Sequence, residues 1–314
     1  MRPLETETTR PEAQPTRKEF LLTLAGAPLL AGTEQAEAGG RKALIVAAHP
    51  DDEYAVAAIA YRLSREAGWT LDHVVITNGE GGYRYAALAE TIYGVPLTAE
   101  KDGRRNLPAI RKQETLNAGK VLGVRNHYFL DQTDSGFAND AALAGTGNWD
   151  RARILGFLTG LLRRERYDAV LLLLPTRDTH GHHRETALLA LEAVSQFPED
   201  ARPAVLGAEP GAEDAHGEDF PRVVSGPLTR VVDAPPLLAF DRRTSFGYRG
   251  ALNYHIVVNW VIAEHKSQGL FQSDRGRHEV ERFWLFAVSG SRGAARARTL
   301  ANDVTGAVQH ASAR

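Results

Sequence analysis

The sequence predicts an α/β fold, a Rossmann-like, doubly wound and mainly parallel sheet with helices on both faces. Three observations predict it. Apolar runs of strand length recur without alternation, as in "KALIVAA" (42–48) and "DAVLLLLP" (168–175), and such runs suit parallel strands buried on both faces. Helix-length stretches separate them, the alternation that builds crossover units. Polar clusters follow four of the strands, at the carboxyl ends where open α/β sheets bind ligands.

Taken in order, the first strand runs from Lys42 to Ala48 and opens onto "HPDDE" (49–53). Tyr54 to Ala67 reads as a helix, rich in Ala, Val, Ile and Leu and stopped by Gly68. The second strand, "LDHVVITN" (71–78), ends in the cluster "TNGEGG" (77–82). Tyr83 to Arg105 is expected to be a long loop or partial helix, and Leu107 to Leu122 a helix closed by Gly123. A third strand, His127 to Leu130, is followed by "DQTDSG" (131–136). Ile154 to Arg166 is helical, and the fourth strand, 168–175, leads through "PTRDTHGHH" (175–183) into a helix over His183 to Val194. Phe197 to Pro236, rich in Pro, Gly and acidic residues, reads as an irregular insertion or lid. A strand at Leu237 to Phe240 and a helix over Tyr254 to Lys266 complete the pattern. Residues 41–300 are read as one domain, 1–40 as a leader and 301–314 as a tail.

With 314 residues, 43% of them hydrophobic, the chain is long enough for a sizeable core. The formal net charge of -2, with no block of basic residues, speaks against nucleic acid or an acidic membrane as partner. There is no cysteine, so any metal must be held by His and carboxylates. The leader has the order of an export signal: Arg17 and Lys18, then an apolar stretch from Phe20 to Ala31, then the small residues "AEA" (36–38). It is similar to a twin-arginine signal with Lys18 in the second arginine position, which implies a periplasmic or extracellular protein; a cytoplasmic protein with a polar tail is the alternative. The apolar stretch is too short to span a bilayer, so no membrane span is expected in the mature chain. The sequence does not set the oligomeric state.

"HPDDE" puts four ionisable side chains in five positions, and its three carboxylates repel one another unless a cation sits among them. His49 and Asp52, three apart at a strand-to-helix turn, can face one centre, and "HGHH" (180–183) offers imidazole from another strand end. Two histidines and one carboxylate leave an open position on zinc, as in a catalytic site. Iron(II) suits the same ligand types. Asp51 is then the natural general base for a water on the metal. Glu53 reads as a carboxylate favoured at the start of a helix. His73, His127, His216, His278 and His310 read as surface or core residues.

"AHPDDE", "TNGEGG", "RKQETLNAGKVLGV", "DSG" and the His-x-x-His of "HGHH", in this order, resemble the PIG-L/LmbE-like zinc-dependent N-deacetylases, and "AEHKSQGLFQ" with "ERFWLF" is similar to the family's carboxyl-terminal helix and strand. The resemblance implies a hydrolase that removes acetyl groups from N-acetylated amino sugars or glycoconjugates. It implies zinc on His49, Asp52 and His183, Asp51 as general base, and His180 near the scissile amide, where as imidazolium it would stabilise an oxyanion or protonate the leaving amine. It places Arg111 and Asp134 on the sugar hydroxyls, although Arg111 could instead pair with Glu114 or Thr115 on its own helix. Gly181 and His182 stand where the family often has Pro-Asp, which leaves the orientation of His180 open and makes His182 an alternative ligand to His183. Hydrolysis of another N-acyl amide and an inactive carbohydrate- or metal-binding relative are the competing readings.

Overall fold

A computed structural model describes residues 40–137, 148–211, 223–269 and 278–311. Contacts divide the chain after Ala38, and all described residues belong to the second unit, Gly39–Arg314. The leader, and with it the export-signal expectation, lies outside the described residues.

The strands are β1 (Lys42–Ala47), β2 (Thr70–Thr77), β3 (Val124–Gln132), β4 (Ala169–Leu173), β5 (Ala204–Gly211), β6 (Leu238–Asp241), the short pair β7 (Ser245–Phe246) and β8 (Leu252–Asn253), and β9 (Val280–Leu285). Seven of them form one sheet in the order β3-β2-β1-β4-β5-β9-β6, and β7 pairs with β8 separately. β3, β2, β1, β4 and β5 are parallel neighbours, while β9 runs antiparallel to both β5 and β6. Chain direction reverses its sense of progress between β1 and β4, so the crevice beyond their carboxyl ends is the topological switch point. "HPDDE" and "HGHH" leave the sheet from these two neighbouring strands.

Helices cover both faces. On one, α1 (Ala57–Tyr61), α3 (Glu100–Leu122), α6 (His255–Glu264) and α7 (Gly290–Ala311) pack on Ala43, Ile45, Leu71, Leu171 and Leu206. On the other, α4 (Arg151–Glu165) and α5 (Gly181–Ser195) cover Leu44, Val46, Val74, Val170 and Leu172. Adjacent strand residues thus feed opposite cores, which is why β1 and β4 show no polar alternation.

Several boundaries move. Tyr83–Arg105 is largely helical: α2 (Ala87–Tyr93) follows a 3-10 turn over Glu80–Ala86, and α3 starts at Glu100 and runs through Pro108. Proline argues for a helix start, but Gly103 and Leu107 seat the preceding turns against Tyr83 and Leu97, and this packing carries the helix past Pro108. The helix after "HPDDE" opens as a 3-10 turn (Asp52–Val56) and ends in a π turn (Arg62–Glu66) before Gly68, whose φ is 72°.

The insertion read at Phe197–Pro236 contains an interior strand, β5. Gly207 and Pro210 break its apolar pattern, yet a Cβ at Gly207 would meet Leu174 Cδ1 at 2.5 Å and Phe286 Cε2 at 2.8 Å, so glycine is needed there for close packing. The tail boundary at 300 also moves: Leu300 and Val304 of α7 are buried in the core, so the domain continues through them. Among the described residues no helix is long and apolar enough to cross a membrane.

Candidate metal and amide-hydrolysis site

His49 stands two residues past β1, and Asp52 turns back under it. One carboxylate oxygen of Asp52 accepts hydrogen bonds from the backbone N–H groups of Ala48 and His49, both at 2.8 Å. That oxygen lies 3.7 Å from His49 Nδ1, and the other lies 3.1 Å from His183 Nε2. His49 Nδ1 and His183 Nε2 are themselves 3.1 Å apart. The three groups named in the sequence as ligands therefore converge, although His183 comes from the first turn of α5, beyond β4. His183 Nδ1 is fixed from behind by Thr179 Oγ1 at 3.0 Å.

The opposite edge of His49 meets a second group. Its Nε2 lies 3.0 Å from Nδ1 of the fully buried His182, which is 3.5 Å from Asp134 Oδ1 and whose Nε2 is 3.0 Å from Ser135 Oγ. Among the described residues, two sets of potential ligand atoms, His49/His180/His183 and His49/Asp134/His182, each have their members within 4.8 Å of one another, and both use His49. The first adjoins Asp52. Two imidazoles and a carboxylate with facing donor atoms form a set of the kind that holds zinc or iron(II).

The charges are distributed accordingly. Burial opposes a proton on His49, but the charge and hydrogen bond of Asp52, with Asp134 and Asp51, more than offset it and raise His49 to about 9. Burial likewise opposes the Asp52 charge, yet His183 and His49 pull its carboxyl well below the usual range. An imidazolium at His49 donates from both nitrogens, to His183 Nε2 and His182 Nδ1. Burial, then His49 and His183, push His180 down to about 4. In the resting site His180 is a neutral imidazole that donates from Nε2 to the carbonyl of Gly136 at 3.0 Å, while its Nδ1 has no hydrogen-bond partner among the described residues.

Asp51 sits beside this set with φ 127° and ψ -20°. A non-glycine residue held there stores roughly 1–3 kcal/mol of backbone strain, a feature that clusters at functional sites. Burial first, and the adjacent Asp52 charge second, push its carboxyl up to about 7 against the pull of His265, His49 and Arg111.

Arg111 and Asp134 are buried at the rim of the same crevice. The Arg111 guanidinium donates to the carbonyls of Gly79, Gly82 and Ser267 and to Ser267 Oγ. It thereby holds the turn after β2. Among the described residues the guanidinium makes no hydrogen bond to Glu114 or Thr115, although the Glu114 charge favours its ionised form and the Thr115 hydroxyl donates to the Arg111 carbonyl at 2.9 Å; Glu114 receives Ser267 N–H and Oγ–H and the Tyr93 hydroxyl. Asp134 accepts from Gly81 N–H at 3.1 Å and Gly136 N–H at 2.8 Å. Burial opposes its charge, but His49, Gly136 N–H, His182 and Arg111 keep its carboxyl low.

The family model described as GlcNAc-PI de-N-acetylase, PIG-L, matches residues 44–194, the segment that supplies every residue above except the 265–268 supports. Over this segment the chain is similar to the PIG-L family. No curated protein matches the sequence. Among solved structures, N,N'-diacetylchitobiose deacetylase from Pyrococcus horikoshii is similar at 18% identity over 87% of this chain and 94% of that one, with a TM-score of 0.49. The A40926 pseudoaglycone deacetylase Dbv21 shares 15% identity over 80% and 98%, TM-score 0.49. GalB, the 4-carboxy-2-hydroxymuconate hydratase from Pseudomonas putida KT2440, shares 16% over 78% and 95%, TM-score 0.45. Scores at this level decide nothing about activity.

Residues beyond the PIG-L match complete the site. Glu53, read in the sequence as a helix-start carboxylate, is buried in an ion pair with His265, Nε2 to Oε1 at 2.7 Å. The signal that could have found this partner is "AEHKSQ" (263–268), in which four polar residues, His265 to Gln268, follow an apolar helix. Ser135 and Thr179, which touch His182 and His183, lie inside the "DSG" and "PTRDTHGHH" stretches, but neither was singled out there.

Proposed function

We propose that this protein is a metal-dependent hydrolase that removes the acetyl group from an N-acetylated amino sugar or glycoconjugate. The observation that carries the reading is Asp51: a carboxyl with pKa about 7 held in a strained conformation beside a converging His49, Asp52 and His183 set. A general base works best with a pKa near the working pH. The PIG-L match supports the substrate class.

His49, Asp52 and His183 would hold zinc, with iron(II) acceptable to the same donors, and the bound ion would supply Lewis acidity to the acetyl carbonyl and to a water. Asp52 keeps its charge for this duty because His183 and His49 hold its carboxyl low. Asp51 takes a proton from the attacking water and, with its pKa near neutrality, returns it to the departing amine. His180, neutral at rest, stands by the scissile group as a hydrogen-bonding imidazole and can share that proton once charge develops. Asp134 faces the crevice to receive a sugar hydroxyl, and Arg111 braces the turn on which the sugar would rest. Acetate and a primary amine are the products.

Release of primary amine from N-acetylated sugars, small glycoconjugates and longer N-acyl amides, with zinc added, tests the reading. Wild-type turnover on an acetamido sugar, lowered about 10² to 10⁴-fold by Asp51→Asn, is expected, since a positioned base contributes that much. Turnover by Asp51→Asn within about tenfold of wild type would remove Asp51 from the mechanism.

A further inference from the structure

Asp51 needs an explanation, because a free chain would not leave an aspartate at φ 127°. The peptide that precedes Asp51 is held at both of its polar ends by one short segment from the far end of the domain. Gln268 Nε2 donates to the carbonyl of Pro50 at 2.6 Å. The N–H of Asp51, the other polar end of that same peptide unit, donates to Glu53 Oε2 at 3.1 Å. Glu53 is held in turn by His265 at 2.7 Å, with both side chains buried. Both hydrogen-bonding ends of the Pro50–Asp51 peptide are therefore tied down, directly or through one intermediate, by residues 265 and 268.

Between them, Ser267 is also fully buried. It accepts from Arg111, at 3.2 Å to Oγ and 3.2 Å to its carbonyl, and its N–H and hydroxyl are bound by Glu114 at 2.8 and 2.6 Å. Arg111 reaches on to Gly79 and Gly82. The segment after α6 thus braces the turns that follow both β1 and β2.

We propose that His265, Glu53 and Gln268 are positioning residues that clamp the Pro50–Asp51 peptide and so aim the Asp51 carboxylate at the reacting water; the catalytic consequence rests on the role given to Asp51 above. The clamp acts through orientation of one peptide plane. A peptide released from it can flip, taking Asp51 to negative φ and its carboxylate away from the His49 and His183 edge, while Asp52 keeps its own two backbone N–H contacts. Misplacing a reacting group by about 1 Å can cost about 10²-fold in rate.

The test uses the full, zinc-loaded chain as wild type, His265→Ala, His265→Gln and Gln268→Leu. Crystal structures of each report the Asp51 backbone whether or not a substrate is known. His265→Ala is expected to move Asp51 to negative φ with His49, Asp52 and His183 in place and zinc stoichiometry unchanged. Its kcat should fall about 10²-fold with KM little altered. His265→Gln, which still offers a donor to Glu53, should stay within about tenfold of wild type. Should His265→Ala fail to fold, Gln268→Leu, which strands no charge, is expected to show the same flip with a kcat loss of about tenfold. Asp51 remaining near its wild-type φ in every folded variant overturns the clamp, as does loss of zinc in step with loss of kcat. If wild type turns over no amide, the proposed reaction falls, and the Asp51 backbone still decides the clamp.

Discussion

Loading the site with zinc displaces a proton from a group that the site keeps charged at neutral pH. His49 is raised to about 9, so at pH 7 it carries a proton that must leave before Nδ1 can bind a metal. Asp52 needs no such change, because its carboxyl is already held low. The displacement costs about 1.4 kcal/mol for each pH unit below 9, or about 2.7 kcal/mol at pH 7. Zinc affinity is therefore expected to rise about tenfold per pH unit from pH 7 to 8.5, with about one proton released per ion. At about 100 times Kd the ion should add about 2.7 kcal/mol of stability, which for a domain of this size raises Tm by about 5 to 10 °C. Calorimetric titration in two buffers of different ionisation enthalpy counts the protons, and a thermal scan before and after chelation measures the shift. Affinity independent of pH over this range, or zinc bound without proton release, would refute the assignment of His49 as a protonated ligand. Asp52→Asn removes both a ligand and the chief source of the raised His49 pKa, so it should bind zinc weakly and release fewer protons.

Two further outcomes test the framework around the site. Gly103→Ala places a methyl group against Tyr83 Cβ and the Leu97 carbonyl, so it should lower stability by about 1–3 kcal/mol in urea denaturation and loosen the turn over Glu80–Ala86. An unchanged midpoint would show that α3 is not seated as tightly as this. His127, opposite the buried His73 on β2 and β3, is pushed down to about 3 by burial first and by His73 second. A histidine neutral when folded and free to charge when unfolded contributes stability that is whole above about pH 6.5 and falls with pH toward 3, by up to about 1.4 kcal/mol per unit. His127→Phe should flatten stability between pH 6 and 4, and an unaltered slope would assign the acid sensitivity elsewhere.

Much of this was readable along the chain. "HPDDE" and "HGHH" announced themselves because charged groups at the ends of apolar strands are costly without a purpose, and both fall beside His49 in space. The expectation for Glu53 missed its partner, since His265 lies 212 positions away and no local rule connects them. Strand β5 was hidden for a related reason: Gly207 reads as a breaker until Leu174 and Phe286 are seen against it. The extension of α3 through Pro108 is likewise a victory of packing over a local propensity.

By itself the sequence determined the fold class, the four crossover strands and the residue types gathered at their carboxyl ends, because periodicity and composition are local properties that survive in one dimension. Only the tertiary structure decided which nitrogen of His49 faces His183 and which faces His182, that Arg111 spends its donors on backbone carbonyls, and that Asp51 is held where a free aspartate would not stay. These depend on distances between strands β1, β2 and β4 and the segment after α6. Hydrogen bonds and buried charges respond to separations of a few ångströms, and the chain sets those separations only when it closes on itself.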